Sequence, residues 1–257
     1  MGDQGEDRDW QAVLRARDGA AVPTGSLGEL FAPVLAPAAA GDGCRVIGRL
    51  CQTLDGRIAT ASGSSQWIGG PGDIRHTHRL RALCHGVIVG AGTVAADDPR
   101  LTTREVAGPD PMRIVLDARA RLPVTHRVFN GGPPTLLVVA ADAPAGAMHG
   151  DARVLRLAGS GAIDIPALLR VLAAEGLTRL FVEGGGVTVS RFLAEGCLDR
   201  LHVTVAPVLL GSGIPAFTLP QAGRIEDGLR TSFRVFPMEP DILLDIPLDR
   251  ARPKVCR

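Results

Sequence analysis

From residue 45 to residue 246, short apolar runs alternate with helical stretches that end on glycine. Residues 46–51, 86–90, 112–117, 135–140, 179–182, 202–205 and 242–246 read as strands. Continuous apolar runs of this length suit strands covered on both faces, as in a parallel sheet. Three helices are expected between them. One runs from Asp73, a candidate N-cap, to about Cys84. The others cover 164–175 and 186–195, with Gly176 and Gly196 as left-handed stops. Leu54-Asp55-Gly56 reads as a tight turn. This alternation predicts an α/β fold on a mainly parallel sheet. Residues 1–43 break the pattern. A short amphipathic stretch at 10–17 precedes a Pro/Ala/Gly-rich segment, read as an N-terminal extension packed on the domain or partly mobile. The expected organisation is therefore 1–43 as extension and 44–257 as one domain.

Bulk chemistry narrows the function. The formal net charge is +1, and aromatic residues are 4% with no Tyr. Neither the field nor the stacking platforms of a nucleic-acid binder are present. Cys44, Cys51, Cys84, Cys197 and Cys256 are scattered and odd in number, which fits a reducing cytoplasm better than a disulfide framework. The first nine residues lack the pattern of a signal peptide. No apolar run is long enough to span a bilayer. No metal site is expected, because His76 and His78 lie two apart and do not share a helix face. No G-x-S-x-G elbow and no deaminase-type zinc motif occurs.

The strongest local signal is Leu180-Phe181-Val182-Glu183-Gly184-Gly185-Gly186, followed by a helix opening Val187-Thr188-Val189-Ser190. A strand that turns through glycines into a helix presents free N–H groups and the positive end of the helix dipole. Such a turn is read as a phosphate cradle, with a plain tight turn as the alternative. Gly90, Gly92 and Ala95 match G-x-G-x-x-A, and Asp117 follows at the end of the next strand. Pro99 comes too soon for a Rossmann crossover helix, so 91–98 reads as a short helix closing on an acidic turn. Of Asp97 and Asp98, one is a candidate to face the site. On the helix from Asp73, Arg75, His78 and Arg79 share what reads as a solvated face. Arg81 borders its apolar flank, either offering a fork to phosphate or capping a buried carboxylate. Trp67 either walls a pocket or plugs the domain edge.

Together these segments resemble the riboflavin-biosynthesis pyrimidine reductase family. The resemblance rests on residues 53–59, Gly63, Ser65-Gln66-Trp67-Ile68, Leu80-Arg81-Ala82, residues 89–102, Val182 to Gly186, Ala206-Pro207 and Leu210-Gly211, in order across about 45–246. It implies a dihydrofolate-reductase-like fold, a mixed and mostly parallel sheet with helices on both faces, and a homodimer. It implies NADPH as cofactor and a phosphorylated pyrimidine as substrate. The family reaction reduces the ribosyl group of 5-amino-6-(5-phosphoribosylamino)uracil to ribityl. By position, cofactor contacts fall on Cys51, Trp67, Thr93, Asp97, Gly185, Gly186, Val187, Thr188, Val189, Ser190 and Arg191. Substrate contacts fall on Ser65, Arg81, Leu101, Arg104 and Glu183. Asp97 and Glu183 are the catalytic candidates, and Arg81 with Arg104 would clamp the substrate phosphate. Cys51 stands where the family carries a small residue, and Ala118 where it carries a polar cofactor contact. The family's fused deaminase half is missing from this sequence, so a separate deaminase is expected in the pathway. Other readings are reduction of the still-aminated pyrimidine or of dihydrofolate, or a silent nucleotide-binding regulator.

Overall fold

The computed structural model describes residues 2–66 and 68–250. Its strands are β1 (Arg45–Thr53), β2 (Arg57–Thr60), β3 (Gly86–Gly90), β4 (Met112–Leu116), β5 (Thr135–Ala140), β6 (Met148–His149), β7 (Ala152–Leu157), β8 (Arg179–Glu183), β9 (Arg200–Ala206), β10 (Gly213–Pro215), β11 (Arg234–Met238) and β12 (Asp241–Pro247). Its helices are α1 (Gly2–Arg17), α2 (Ser26–Leu35), α3 (Pro71–Leu83), α4 (Ala91–Asp97), α5 (Ile165–Ala174) and α6 (Gly186–Ala194).

All these strands except β2 and β10 form one sheet, ordered β11-β12-β9-β1-β8-β3-β4-β5-β7-β6. The run from β9 to β7 is parallel throughout, and β12, β11 and β6 pair antiparallel at the two edges. The sheet is therefore mixed and mostly parallel. Strand alternation sorts the core into two layers. Ile47, Val87, Val89, Val115, Leu137 and Phe181 face a layer that includes α1, α2, α3 and α4. Val46, Ile88, Ile114, Leu136, Leu180 and Val182 face α5 and α6. Helices thus cover both faces, as expected. β2 and β10 pair with each other as a small antiparallel ribbon.

The helix signals have clear physical origins. The Asp164 side chain caps α5 by accepting the Ala167 N–H at 2.8 Å, and Gly176 beyond it has φ +83°. Gly196, at φ +67°, ends α6 in the same way. Helix α4 is seven residues long and closes on Asp98 at φ 40°. That is the short helix and acidic turn expected from Pro99, not a Rossmann crossover.

Two expectations need correction. Asp73 is not the N-cap of α3. The cap is Gly70, Pro71 takes the first turn, and the Asp73 carboxylate is buried against Arg49. The Gly70 N–H donates instead to Asp241 Oδ2 at 2.6 Å. Nor is the face carrying His78 and Arg79 solvated: both are buried. Helix α1 lies over it, with Glu6 bridging Arg75 and Arg79 at 3.0 and 2.8 Å. Of the two readings of residues 1–43, the described part fits an extension packed on the domain. Trp10, Val13, Leu30, Phe31 and Val34 are buried in one cluster with Leu80, Leu83 and Phe181. Fully burying a side chain such as Phe31 contributes roughly 1.5–3 kcal/mol.

Candidate active site

A cleft of about 830 Å³ opens at the carboxyl ends of β1, β8, β3 and β4, the usual ligand position on an open parallel sheet. The β2–β10 ribbon forms a further wall, contributing Ile58, Ala59, Ile214 and Pro215.

The glycine turn between β8 and α6 forms one side. A Cβ on Gly186 would sit 2.3 Å from the Ala216 carbonyl oxygen, so only glycine allows this close approach. A Cβ on Gly185 would meet nothing nearer than Thr93 Oγ1 at 3.6 Å, so bare backbone faces the cleft. The Gly185 N–H donates to Thr93 Oγ1 at 3.2 Å, tying α4 to the turn. The N–H groups of Gly186 and Val187 belong to the first helical turn and have no intrahelical acceptor. With the Thr93 and Thr188 hydroxyls, they form a donor set suited to an anion. Of the helix residues expected here, Val187, Thr188 and Arg191 line the cleft. Val189 is core, and Ser190 is buried with its Oγ accepting the Thr218 N–H at 2.9 Å. Helical periodicity explains this: 187, 188 and 191 share a face that 189 and 190 leave. Arg191 pairs with Glu195 at 2.9 Å and donates to the Ile163 carbonyl.

Glu183 ends β8 and also lines the cleft. Arg81 grips it with two parallel donors, Nε to Oε2 at 2.7 Å and Nη2 to Oε1. Burial pushes the Glu183 carboxyl upward, but the Arg81 guanidinium outweighs it and holds the group below the usual carboxylate range. The third Arg81 donor goes to the Thr102 carbonyl at 2.8 Å. That carbonyl follows buried Leu101, whose φ of 56° is uncommon for a branched residue. Of the two readings of Arg81, the structure therefore displays the cap on a buried carboxylate. Arg104 is exposed, and its backbone N–H donates to His78 Nδ1 at 2.9 Å. Arg81, Leu101 and Arg104 do not line the cleft.

The paired acids divide. Asp97 lines the cleft, and partial burial raises its carboxyl above the ordinary value. Asp98 turns away, accepting the Arg127 N–H at 2.8 Å and lying 3.3 Å from His126 Nδ1. Ser65 and Cys51 complete the lining among the expected residues. Burial pushes the Cys51 thiol up to about 12, so it is a neutral lining group and not a nucleophile. Trp67 lies outside the described residues.

The sequence reading missed Arg49 altogether. It projects from β1 into the cleft lining and is paired with Asp73. An isolated Arg in an apolar strand was the available signal, because such a charge needs a buried partner. A second omission is the basic loop after β4, where Arg119 and Arg121 line the cleft's far end.

The family model for the RibD C-terminal domain matches residues 45–233. The chain belongs to that family. It is 40% identical over 188 residues to the 2,5-diamino-6-ribosylamino-4(3H)-pyrimidinone 5′-phosphate reductase of Methanothermobacter thermautotrophicus, covering 71% of this chain and 86% of the relative. It is 33% identical to the riboflavin biosynthesis protein RibD of Mycobacterium tuberculosis, over 76% of this chain and 51% of the relative. Among solved structures, Acinetobacter baumannii RibD superposes with a TM-score of 0.72 at 29% identity, over 86% of this chain and 62% of that one. The chain thus spans only about half to two thirds of the RibD proteins it matches. Family membership supports a pyrimidine-reductase activity of the riboflavin-biosynthesis kind. Among the described residues, no helix is long and apolar enough to cross a membrane.

Proposed function

We propose that this protein reduces the ribosyl group of 5-amino-6-(5-phosphoribosylamino)uracil to the ribityl form, using NADPH. The observation that carries this reading is one cleft holding both an anion-suited glycine turn and, at the end of the strand that leads into it, Glu183 fixed by Arg81. Gly186, Val187, Thr93 and Thr188 would hold the dinucleotide's diphosphate, and Cys51 and Asp97 would flank its reactive end. When bound, NADPH supplies a hydride to the opened sugar at C1′.

The chain's own residues do the rest. Opening the ribosylamine breaks C1′–O4′, makes the C1′=N bond, and requires a proton at O4′. Asp97, which lines the cleft, would deliver that proton. Glu183, held ionised, accepts hydrogen bonds from the substrate and orients it; Ser65 adds a hydroxyl. Arg81 acts through Glu183 as a positioning residue, and Arg104, exposed and outside the cleft lining, is the proposed contact for the 5′-phosphate. The apolar ribbon residues Ile58 and Ile214 exclude water.

A second reading concerns the same reaction on the still-aminated pyrimidine. The Methanothermobacter relative, of which the chain covers 86%, is named for that substrate. Loss of NADPH absorbance is measured with the deaminated and the aminated ribosylaminopyrimidine phosphates side by side, with dihydrofolate as control. Turnover confined to the deaminated compound supports the first reading. Turnover confined to the aminated compound moves the assignment to the second. Turnover with dihydrofolate alone contradicts both. The protein would work as a homodimer in the cytoplasm, with a separate deaminase in its pathway; sedimentation at micromolar concentration checks the dimer.

A further inference from the structure

We propose that α1 takes part in substrate recognition: Trp10, by holding the Ala107 carbonyl, is a positioning residue for the loop 102–110 that presents Arg104 to the substrate's 5′-phosphate. The inference rests on the proposed phosphate contact of Arg104 and deepens it.

Residues 102–110 run between α4 and β4 without helix or strand. The two ends of this loop are clasped together. The Thr103 N–H donates to Asp110 Oδ1 at 2.6 Å, and the Thr103 hydroxyl to the Pro109 carbonyl at 3.1 Å. Its first residues meet α3. The Thr102 carbonyl accepts from Arg81, the residue that grips Glu183. The Arg104 N–H donates to His78 Nδ1 at 2.9 Å, and its guanidinium to Thr102 Oγ1 at 2.9 Å. Burial, with Arg81 and Arg104 nearby, holds the His78 imidazole at about 4, so Nδ1 stays an acceptor near neutral pH. The far side of the loop is held by α1. Trp10 is 2% exposed, and its indole N–H donates to the Ala107 carbonyl at 2.8 Å. Phe31 of α2 meets the Trp10 ring edge-on with centroids 5.9 Å apart, and the Arg79 guanidinium lies 5.4 Å from it. Gly108 then threads between α1 and α3. Its φ is +143°, and a Cβ there would stand 2.6 Å from Ala82 Cβ and 3.3 Å from Leu14 Cδ2.

Among the described residues, two hydrogen bonds tie 104–108 to the helices: Arg104 to His78 and Trp10 to Ala107. The ring of Trp10 serves the core, and its N–H serves an exposed stretch of loop. An arginine on a backbone fixed at both sides leaves a phosphate only the side chain to order. With the loop released at Ala107, the ligand would have to order the backbone as well, and its affinity would fall. The NADPH side of the cleft, on the glycine turn, has no part in this hold. Helix α1 also precedes residue 45, where the match to the family model begins.

The test compares wild type, Trp10→Phe, Arg104→Ala and the double variant. NADPH oxidation is followed with whichever ribosylaminopyrimidine phosphate the protein turns over, together with inhibition by ribose 5-phosphate. Phenylalanine keeps an aromatic ring at position 10 and removes the N–H. Trp10→Phe is expected to raise the KM for the pyrimidine and the inhibition constant of ribose 5-phosphate about 3- to 10-fold, with kcat and the KM for NADPH within about two-fold of wild type. Amide exchange of residues 103–108 should quicken in the same variant. Arg104→Ala should raise the same two constants about 10- to 100-fold. Adding Trp10→Phe to it should change them little further, because both act on one contact. Thermal melting checks folding; if Trp10→Phe does not fold, Gly108→Ala displaces the same loop from the α3 side and carries the same expectation. Unchanged constants in the folded variant, an equal rise in the KM for NADPH, or a loss that adds fully to that of Arg104→Ala overturns the inference while the Arg104 contact stands. Wild-type constants in Arg104→Ala overturn that contact and the inference together, as does a wild-type protein that turns over neither pyrimidine.

Discussion

Helix α6 borders the cleft and helix α3 supports it from outside the lining through Arg81 on Glu183, and the two are built on opposite principles. Helix α6 is made by backbone. Its glycines let the chain turn and approach Ala216, and its buried side chains are apolar or, like Ser190, singly bonded. Helix α3 is made by partnered charge. Its sequence, Pro-Gly-Asp-Ile-Arg-His-Thr-His-Arg-Leu-Arg-Ala-Leu, would suit a solvent-facing helix, yet most of its polar residues are buried. Five find a partner elsewhere in the fold: Asp73 with Arg49, His76 with His202, His78 with the Arg104 N–H, Arg79 with Glu6, and Arg81 with Glu183; Thr77 donates to the Asp73 carbonyl within the helix. A helix of the first kind announces itself locally. One of the second kind depends on residues as far away as position 202, and composition alone assigns it to the wrong environment.

The contrast has measurable consequences. The largest is expected for Arg81→Ala. Removing Arg81 leaves the partly buried Glu183 without its two-pronged partner, at a cost of about 2–4 kcal/mol. Denaturant unfolding measures this, and a loss under about 1 kcal/mol would mean that α3 does not depend on its ion pairs. Gly186→Ala comes next. The added methyl meets the Ala216 and Pro215 carbonyl oxygens, and overpacking of this kind costs about 1–3 kcal/mol. Dinucleotide affinity should fall with it, and wild-type melting together with wild-type affinity would remove the close-approach argument.

Acid comes third. Burial, with neighbouring cations adding to it, holds the imidazoles of His76, His78 and His202 below their ordinary value of 6.5, that of His78 at about 4. Below about pH 6.5 the unfolded chain therefore takes up protons that the folded chain does not, so stability falls as pH drops. The expected slope is on the order of 1 kcal/mol per pH unit for each histidine. A flat melting temperature between pH 6.5 and 5 would contradict the neutral, buried histidines. The smallest effect is expected at the half-exposed Arg75–Glu6 pair. Arg75→Ala should cost under about 1 kcal/mol. A larger loss would show that α1 is held by its charges and not by Trp10 and Val13.

The same division explains what the sequence revealed. The central strands, the glycine stops and the short α4 are local signals, continuous apolar runs and chain-breaking residues, and they read correctly. Helix α2 was hidden by the Pro/Ala/Gly composition around it, including Pro33 within it, although Leu27, Leu30, Phe31 and Val34 have helical spacing. β2 and β10 are four and three residues long and acquire meaning only through each other. At the site, Asp97, Glu183 and the glycine turn were legible as motifs. The Arg81–Glu183 pair was not, because 102 residues separate its members and either could have met a ligand instead.

The central claim is that the cleft brings a dinucleotide on the glycine turn against a ribosylaminopyrimidine on Glu183. The most direct test incubates the protein with NADPH deuterated at the transferred position and the deaminated or aminated substrate, followed by mass spectrometry and NMR of the pyrimidine product. One deuterium at ribityl C1′ is the predicted result. A reduced product without deuterium at that carbon, or no reduced product from either pyrimidine, would contradict the account.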